Sequence, residues 1–375
     1  MSKQTIALCM IVRDEADVIE RAFDSVINFV DYYIICDTGS VDGTQQVIKD
    51  YWERNNLKGE LHEHEWVNYG RNRTLCFDLA KGKSDYIMTL DADEVIAPFK
   101  NQNANIYSKI VELPELSGDA IFSTTVLGTN HYPRQQFFRN GVDWYWTEPV
   151  HETCVADESI TYTRLQDLCC FASSQKGGRV HDTSTYLKDA AMLEEHLLSN
   201  PQDSRAHFYL AQSYGDAGDI EKALAASEKA LEVLEWDQEI YQILLRRARW
   251  TYLKTEDLSQ FTTDCLEVYS EMPTRAEPLF DLVRAYSRIG YYPLALMFGE
   301  AALKCAYPSP DCLFVESDIY TWKLKDLVAV AYFYMGDYDH ALPLFQELKD
   351  NPAVPEDQRA RINNNITECT SISSV

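Results

Sequence analysis

Three segments in the C-terminal half of the chain carry the same spacing of small and aromatic residues, and this repetition constrains the fold more than any other feature. Each segment places a glycine between two stretches of helical periodicity, at Gly218, Gly290 and Gly336. The separation of the first two glycines corresponds to two repeats of about 34 residues. Small residues at such positions let paired helices pack closely, and neighbouring pairs then share one core. The spacing predicts a stack of helical pairs.

The repeated positions are those of tetratricopeptide repeats. They are Leu210, Ala211, Tyr214, Gly218, Ala223 and Ala230 in the first segment, Leu282, Tyr286, Gly290, Tyr292, Ala295 and Ala302 in the second, and Tyr332, Gly336, Tyr338, Ala341 and Phe345 in the third. Residues 241–269 form a degenerate unit, and PSPDCLFVESD (308–318) is interpreted as an insertion. We expect three or four repeats in an all-α region over residues 183–370, with an unrelated helical bundle as the alternative.

The chain before residue 182 has a different pattern. Apolar runs of strand length cover Thr5–Val12, Tyr32–Asp37 and Asp85–Asp93, and residues 15–30 between the first two have a helical period. Strands that are apolar throughout and alternate with helices indicate a mostly parallel sheet covered on both faces. We therefore expect an α/β, Rossmann-like domain over residues 1–182. Ligands of such sheets bind beyond the carboxyl ends of the strands.

Composition narrows the class of protein. The chain has 34 Lys+Arg against 59 Asp+Glu and a net charge of −25, without a basic cluster, so a nucleic-acid partner is not expected. Its ten cysteines include no C-x-x-C pair, which favours a reduced intracellular chain over a disulfide or zinc framework. The N-terminus lacks the pattern of a signal peptide, and no apolar run approaches the length of a membrane span. We expect a cytoplasmic protein.

Acidic residues follow two of the predicted strands. Asp91 and Asp93 in LDADE would share one face while the chain remains extended, and Asp37 ends the preceding strand of the sheet. All three would face the ligand crevice. Paired carboxylates suit Mg²⁺ or Mn²⁺ bridging phosphates, although solvated acids at a strand end are the simpler interpretation of a lone D-x-D.

Other polar residues lie near these acids. Arg71 and Arg73 begin a predicted helix, where cations oppose the helix dipole unless an anion such as a diphosphate lies nearby. His62 and His64 would lie on one strand face, but the local sequence supplies no third metal ligand, so an exposed strand is favoured there. Asp42 and Gly43 form a turn that caps the next helix.

Four segments together, MIVRDEADVIERAFDSV, ICDTGSVDGT, GRNRTL and LDADE, resemble the nucleotide-diphosphosugar domain of family 2 glycosyltransferases, the inverting GT-A type. The resemblance covers residues 5–182. With the repeats, the chain is most similar to the branch that includes bacteriocin S-glycosyltransferases. The resemblance implies sugar transfer from a nucleotide diphosphosugar, most simply a UDP-sugar, with Mn²⁺ or Mg²⁺.

The resemblance also implies roles for individual residues. Val12 and Arg13 would line the base and ribose pocket, and Asp37 would hydrogen-bond the uracil or ribose. Arg71 would belong to the donor site. Asp93 would be the direct metal ligand, with Asp91 nearer the ribose and His181, late in the domain, as a third ligand to the metal; simple hydrogen bonding is the alternative for that histidine.

An inverting transfer needs a base opposite the leaving group. NGVDWYWTEPVHETC (140–154) resembles the segment ending in V-H-E in this branch, which indicates Glu152 as the base and His151 as a neighbour that orients it or contacts phosphate. Glu148 and Asp143 are rivals that spacing alone does not separate. Trp144 and Trp146 would share one face, either stacking a sugar or packing in the core.

Two other classes of protein are weighed against this one. A scaffold with a decayed transferase domain would have no reason to keep Asp37, Arg71, Asp91 and Asp93 together. A nucleotidyltransferase would carry a glycine-rich basic loop where this chain has VRDEAD. The repeats are expected to bind a peptide or protein acceptor, to form a homodimer, or both. A glycan, a lipid-linked acceptor and a modified nucleobase reached through a local groove are the alternatives.

Overall fold

The computed structural model describes residues 3–98, 112–127, 130–172, 183–309 and 312–372. The chain forms two compact units. The first comprises Met1–Gly128 and Tyr132–Asp219, and the second comprises Thr129–His131 and Ile220–Val375. The predicted boundary at residue 182 lies outside the described residues, and the two helices that follow it belong to the first unit.

The first unit is built on a mixed sheet. Its strands are β1 (Ile6–Val12), β2 (Tyr32–Asp37), β3 (Gly59–Glu63), β4 (Tyr86–Thr89), β5 (Glu94–Pro98), β6 (Ala120–Leu127), β7 (Asn130–Arg139) and β10 (Tyr162–Ala172), with β8 (Tyr145–Trp146) and β9 (Cys154–Val155) paired separately. The order across the sheet is β3-β2-β1-β4-β7-β6-β10-β5. Strands β3, β2, β1 and β4 are parallel, whereas β7 is antiparallel to β4 and β5 to β10. The predicted Rossmann-like, mostly parallel sheet is confirmed.

Helices cover both faces of the sheet. They are α1 (Ile19–Val26), α2 (Thr44–Asn55) and α3 (Tyr69–Ala80). Two further helices of the unit, α4 (Thr183–Ser199) and α5 (Ser204–Asp216), pack against each other. Successive side chains of a strand point to opposite faces. Accordingly Tyr33 of β2 packs with Phe23 of α1 in one core, while Cys36 of β2 packs with Phe77 of α3 in another. This burial on both sides explains why the parallel strands are apolar throughout.

The carboxyl ends of three parallel strands meet at one edge. Val12 of β1 pairs in register with Asp37 of β2, and Cys9 of β1 pairs with Thr89 of β4. The loops that leave this edge are tied to one another, since Oδ2 of Asp42 accepts from the backbone N–H of Ala16 at 3.0 Å. The edge is the place where the sequence predicted a ligand crevice.

The chain turns at the predicted D-x-D instead of remaining extended. Strand β4 ends at Thr89, and the backbone N–H of Glu94 donates to the carbonyl of Asp91 at 3.0 Å before β5 begins. Asp91 and Asp93 therefore do not share one strand face, as the sequence had predicted. The turn redirects the chain into β5, which pairs at the far side of the sheet with β10.

The second unit is helical. Its helices are α6 (Ile220–Val233), α7 (Asp237–Thr255), α8 (Leu258–Glu271), α9 (Glu277–Arg288), α10 (Tyr292–Ala302), α11 (Leu324–Tyr334), α12 (Tyr338–Lys349) and α13 (Glu356–Ile372). Gly290 and Gly336 follow α9 and α11 with φ of 77° and 76°. That left-handed conformation disfavours other residues and explains the glycine of each repeat. The degenerate unit, residues 241–269, forms the pair α7 and α8.

The predicted insertion is anchored by buried polar contacts. It contains the short strand β11 (Val315–Glu316) and leads into a π-helical turn at Ile319–Lys323. Nη1 of Arg275 donates to the carbonyl of Leu313 at 3.2 Å, and Nη2 forms an ion pair with Glu277 at 2.6 Å. These side chains of Arg275 and Glu277 are fully buried, so the repeats enclose a charged pair beneath the insertion.

Among the described helices, none combines the length and the apolar character that crossing a lipid bilayer requires.

Candidate functional site

Arg73 of α3 joins three elements of the first unit in one charged group, the Arg73 cluster (Arg73, Asp91 and Glu152). Its Nη2 donates to Oδ1 of Asp91 at 2.7 Å, and its Nε donates to Oε1 of Glu152. Its Nη1 donates to Oγ1 of Thr89, at 3.3 Å. The guanidinium carbon also lies 5.4 Å from the ring centre of Trp146. Helix α3, the turn after β4 and the segment between β8 and β9 therefore meet at this guanidinium.

Exposure distinguishes the members of the Arg73 cluster. The side chains of Arg73 and Glu152 are each 11% exposed, whereas that of Asp91 is 37% exposed. Burial alone would lower the pKa of Arg73, but the nearby charges of Asp91 and Glu152 outweigh it and raise that pKa. Arg73 is thus a permanent cation at the strand edge, between one nearly buried carboxylate and one that solvent reaches.

A second ion pair supports the turn behind Asp91. Nη1 and Nη2 of Arg134 on β7 donate to the two carboxylate oxygens of Glu94, each at 2.6 Å. Oε2 of Glu94 also accepts from the backbone N–H of Asp91 at 3.0 Å. Bidentate pairs of this kind fix orientation as well as charge. No sequence pattern indicated Arg134, because its partner is remote along the chain.

Asp93 lies near two other carboxylates, those of Asp91 and Glu94. Its side chain is half-buried, and Nη2 of Arg21 donates to its backbone carbonyl at 3.4 Å. Burial, followed by the charges of Asp91 and Glu94, raises the pKa of Asp93 to about 6. A carboxylate whose ionised form is destabilised by neighbouring acids is a setting in which a divalent cation, bound through carboxylate oxygens, is favourable.

Asp37 is completely buried at the end of β2. Its Oδ1 accepts from the backbone N–H groups of Gly39 and Ser40, both at 2.8 Å, which shapes the turn. Its Oδ2 has no hydrogen-bond partner among the described residues. Buried polar atoms are rarely left unpaired, so this oxygen fits the predicted role of an acceptor for a ligand hydroxyl or N–H group.

The two other predicted pocket residues, Val12 and Arg13, occupy different environments. Val12 is buried, and its carbonyl accepts from the backbone N–H of Thr38 at 2.9 Å. Arg13 is 59% exposed, with Nε 3.9 Å from the carboxylate of Asp14. Both lie at the same strand edge as Asp37, and Arg13 is the one whose side chain is accessible.

Several residues of the segment that contains Arg71 have structural roles at the start of α3. Asn68 caps α3 by accepting from the backbone N–H of Arg71 at 2.8 Å, and Asn72 is buried and bonded to the chain at Glu65 and Val67. The side chain of Arg71 is exposed and lies outside the Arg73 cluster. The sequence therefore placed the correct segment near the site, but it did not single out Arg73.

Gly70 brings α3 against the segment that carries the predicted base. A Cβ atom at this position would lie 2.7 Å from the carbonyl oxygen of Glu148 and 3.1 Å from those of Thr147 and Trp146. Real Cβ atoms do not approach backbone so closely. Oγ1 of Thr74, one turn later, accepts from the backbone N–H of Trp146 at 2.9 Å.

The base-carrying loop, defined as residues 147–153, has an unusual backbone. Glu148 and His151 both have φ of 54°, in the left-handed region that residues other than glycine seldom adopt. Glu148 holds the loop, since its Oε2 accepts from Oγ1 of Thr147 and from the backbone N–H of Thr153. Burial raises the pKa of Glu148. Such strain persists only where surrounding contacts maintain it.

The structure separates the three candidate bases by position. Glu152 belongs to the Arg73 cluster with Asp91. Glu148 is turned into the loop's own hydrogen bonds. Asp143 is 92% exposed and forms an ion pair with Lys81, which follows the C-terminus of α3. Glu152 is the one of the three that the described contacts bring to the strand edge.

The tryptophans of this region pack in the core. Trp144 is buried, and its ring centre lies 5.3 Å from that of Phe138. The ring centre of Trp146 lies 5.4 Å from that of Phe77, and the same ring lies against the guanidinium of Arg73. Core packing therefore accounts for Trp144, whereas Trp146 connects the core to the site.

The described residues contain no group of three or more His, Cys, Asp and Glu side chains arranged to hold a metal ion. His181, the predicted third ligand, lies outside the described residues. His62 and His64, on and after β3, have stacked rings with centres 5.9 Å apart, and His62 pairs with Glu60 at 3.0 Å. The segment forms a strand up to Glu63, and His64 follows its end.

Comparison with known proteins bears on this strand edge. Residues 7–103 match the family model described as glycosyl transferase family 2. The match includes all of β1 except its first residue, β2, β4, Arg73 and both acids of the D-x-D. It supports a glycosyltransferase domain over the matched residues and agrees with the resemblance carried by the four sequence segments.

A curated relative is similar to part of the chain. It is a TPR repeat-containing protein of Synechococcus elongatus, 30% identical over 164 residues. The similarity covers 43% of this chain and 38% of the relative. The chain thus spans less than two fifths of the length of the curated relative that it matches.

Solved structures of TPR proteins are similar to the chain at low sequence identity. The TPR protein TTC0263 of Thermus thermophilus is 20% identical with a TM-score of 0.35, covering 49% of this chain and 92% of its own. MamA from AMB-1 is 17% identical with a TM-score of 0.33, covering 44% and 89%, and YrrB is 14% identical with a TM-score of 0.32, covering 51% and 85%. At these TM-scores the similarity carries no argument about function.

Proposed function

We propose that the chain is an inverting glycosyltransferase that moves a sugar from a UDP-sugar to an acceptor with the help of Mn²⁺ or Mg²⁺. The observation that carries the proposal is the Arg73 cluster. Arg73 brings the first acid of the D-x-D, Asp91, together with Glu152 at the carboxyl edge of a parallel sheet. Ligands of such sheets bind at that edge, and residues 7–103, which include Arg73 and Asp91, match a glycosyltransferase family model.

The donor half of the proposal assigns the nucleotide to the ends of β1 and β2. The unpartnered Oδ2 of Asp37 would accept from the uracil or ribose, and the exposed Arg13 would lie against the nucleotide. Arg71 stays a proposed donor-site residue on the outer face of α3. Arg73, a permanent cation, would face the negative charge that develops on the leaving diphosphate.

The metal half rests on the carboxylates of the turn. Asp93, with its pKa raised to about 6 by burial and by neighbouring acids, fits a divalent cation as a ligand, and Asp91 is open to solvent on one side. The bound ion would neutralise the leaving diphosphate. His181 stays a proposed further ligand.

Glu152 is the proposed base. It is nearly buried and held by Nε of Arg73, so its carboxylate has a fixed direction. A base must lie within hydrogen-bonding reach of the acceptor group that it deprotonates. An acceptor entering from the open side of Asp91 would meet the sugar opposite the diphosphate, as inversion requires. His151, the neighbour in the loop, would orient Glu152.

The acceptor is proposed from the helical repeats. Grooves of stacked helical pairs provide extended surfaces for peptides. We propose a protein or peptide acceptor, with a glycan as the alternative. A homodimer formed through the repeats stays a prediction.

Hydrolysis of a UDP-sugar tests the proposal without a known acceptor, because water can take the acceptor's place. UDP-glucose, UDP-galactose and UDP-N-acetylglucosamine are incubated with the protein and Mn²⁺, and early NMR spectra identify the anomer released. An α-linked donor should give the β-anomer first. Release of the α-anomer would contradict inversion.

Two variants with matched chemistry decide the base. Glu152→Gln should lower turnover by about 10²- to 10⁴-fold, the range of general acid–base catalysis. Asp143→Asn removes a charge from an exposed acid and should leave turnover within about twofold of the wild type. Equal effects of the two substitutions would remove Glu152 from the proposed role.

A further inference from the structure

The base-carrying loop is contacted by a helix whose sequence belongs to the repeats. The ring of Tyr209 on α5 stacks on the ring of His151, with centres 3.9 Å apart and planes 10° apart. Nε of Arg205, one turn earlier on α5, donates to the backbone carbonyl of His151 at 3.2 Å. Both contacts fall on the residue that precedes Glu152, and all of them lie within the first unit.

These contacts fall on a residue of the loop whose backbone conformation is unfavourable. His151 has φ of 54°, a conformation that costs free energy in a residue with a side chain, so the surrounding structure must maintain it. Relaxation of His151 to ordinary backbone angles would swing the next residue, Glu152, away from Arg73. Tyr209 is 8% exposed and its ring is fixed by Phe208 at 5.0 Å, so the stacking surface is rigid.

Arg205 and Tyr209 also support each other. The guanidinium carbon of Arg205 lies 4.9 Å from the ring centre of Tyr209, and its Nη2 donates to the hydroxyl of Tyr209 at 3.3 Å. The guanidinium of Arg205 therefore contacts the ring of Tyr209 while its Nε donates to the base-carrying loop. One face of α5 thus presents a matched pair of side chains to one residue of the loop.

We infer that Arg205 and Tyr209 are positioning residues, which hold His151 so that Glu152 stays in the Arg73 cluster. The inference rests on the proposed function for its catalytic consequence, but not for its structural content. It assigns α5, a helix of the repeat pattern, to the active site of the first unit. It also explains the role of His151, whose ring stacks on Tyr209 and whose carbonyl accepts from Arg205.

Hydrogen–deuterium exchange tests the structural content directly. Peptides that contain residues 147–153 are followed by mass spectrometry in wild type, Tyr209→Ala, Tyr209→Phe and Arg205→Ala. Exchange in the loop should rise by about tenfold in Tyr209→Ala and rise in Arg205→Ala, and stay near wild type in Tyr209→Phe, which keeps the ring. Peptides covering residues 36–44 should not change. Unchanged loop exchange in Tyr209→Ala would overturn the inference.

Tyr214→Ala is the matched control. It removes the same kind of ring from the same helix, but the hydroxyl of Tyr214 donates to Glu194 of α4 at 2.6 Å. Tyr214→Ala should raise hydrogen–deuterium exchange in α4 and leave exchange in the base-carrying loop unchanged. If Tyr209→Ala does not fold, Arg205→Ala decides the question, since it removes a donor without emptying a buried position.

Turnover of whichever UDP-sugar the wild type hydrolyses tests the catalytic consequence. Tyr209→Ala should lower kcat by about 10- to 100-fold, because a shift of about 1 Å in a catalytic group has that effect, while KM for the donor stays within about twofold. Tyr209→Phe should restore kcat. A rise in KM with unchanged kcat would refute positioning of Glu152. Failure of the wild type to bind either UDP or GDP would refute the proposed function, and the exchange result would still decide whether α5 holds the loop.

Discussion

Nη2 of Arg73 donates to Oδ1 of Asp91 at 2.7 Å, and this contact connects the N-terminal half of α3 to the turn that follows β4. Arg73 and Asp91 are the parts of the motifs GRNRTL and LDADE that meet in space. Since the same guanidinium holds Glu152, removal of one side chain should disturb three elements at once.

Arg73→Ala should lower the free energy of unfolding by about 3 kcal/mol, because it leaves the nearly buried carboxylate of Glu152 without its partner. Urea unfolding followed by circular dichroism measures the change. Arg71→Ala, two residues away and exposed, should change stability by less than about 0.5 kcal/mol. If both variants lose the same stability, the Arg73 cluster does not hold the loop.

Asp37→Asn should separate binding from folding. Asparagine keeps an oxygen that can accept from Gly39 and Ser40, so the turn should persist with a loss of about 1 kcal/mol. The amide replaces an acceptor oxygen by a donor, and UDP affinity should fall by about tenfold or more in calorimetry. Asp37→Ala should instead lose about 1–3 kcal/mol of stability, since two backbone donors lose their acceptor. Wild-type UDP affinity in Asp37→Asn would rule out the nucleotide role.

Gly70→Ala should destabilise the protein, although alanine ordinarily stabilises a helix interior by about 1 kcal/mol over glycine. The reason is the carbonyl oxygen of Glu148, which a Cβ would approach to 2.7 Å. Displacement of the base-carrying loop should also reduce turnover. Thermal unfolding gives the sign, and a higher midpoint in Gly70→Ala would show that the loop moves freely.

The pair of Arg275 and Glu277 should make the second unit sensitive to acid. Burial alone would raise the pKa of Glu277, but the hydrogen bonds and charge of Arg275 outweigh it and lower that pKa below the unfolded value of about 4.3. Stability from this group is therefore fully present above the unfolded pKa. It is lost as pH falls from about 5 through the folded pKa.

Glu277→Gln tests this assignment. At pH 7 the variant should be less stable by about 3–5 kcal/mol, because Arg275 is left buried without a counter-charge. Thermal midpoints of wild type and variant, measured from pH 7 down to pH 3, should converge as the wild-type carboxylate is protonated. A constant gap across that range would mean that Glu277 does not titrate in the folded state in this way.

The fold was predictable where the pattern was local. The strand β2 and the turn glycines Gly290 and Gly336 follow from apolar runs and from residues that tolerate positive φ. The half of the sheet that contains β7, β6, β10 and β5 was not predicted, because the pairings of β7 with β4 and of β10 with β5 and β6 join segments remote in sequence. The turn at Asp91 was also missed, since a D-x-D alternates as a strand does.

The sequence predicted the acidic residues of the site, but not the residues that hold them in place. Asp91 and Glu152 were identified, but the choice of Arg73 over Arg71 required the three-dimensional position of α3. Arg134 and Tyr209 act through residues remote in the chain, and a single sequence carries no sign of such pairs. The predicted His181 ligand lies outside the described residues.

Calorimetric titration of UDP, with and without Mn²⁺, tests the central claim most directly. We predict binding to the wild type that strengthens by about tenfold or more with Mn²⁺, and loss of that dependence in Asp93→Ala. The absence of UDP binding under both conditions, and of GDP binding in the same experiment, would contradict the assignment of the strand edge as a nucleotide-sugar site.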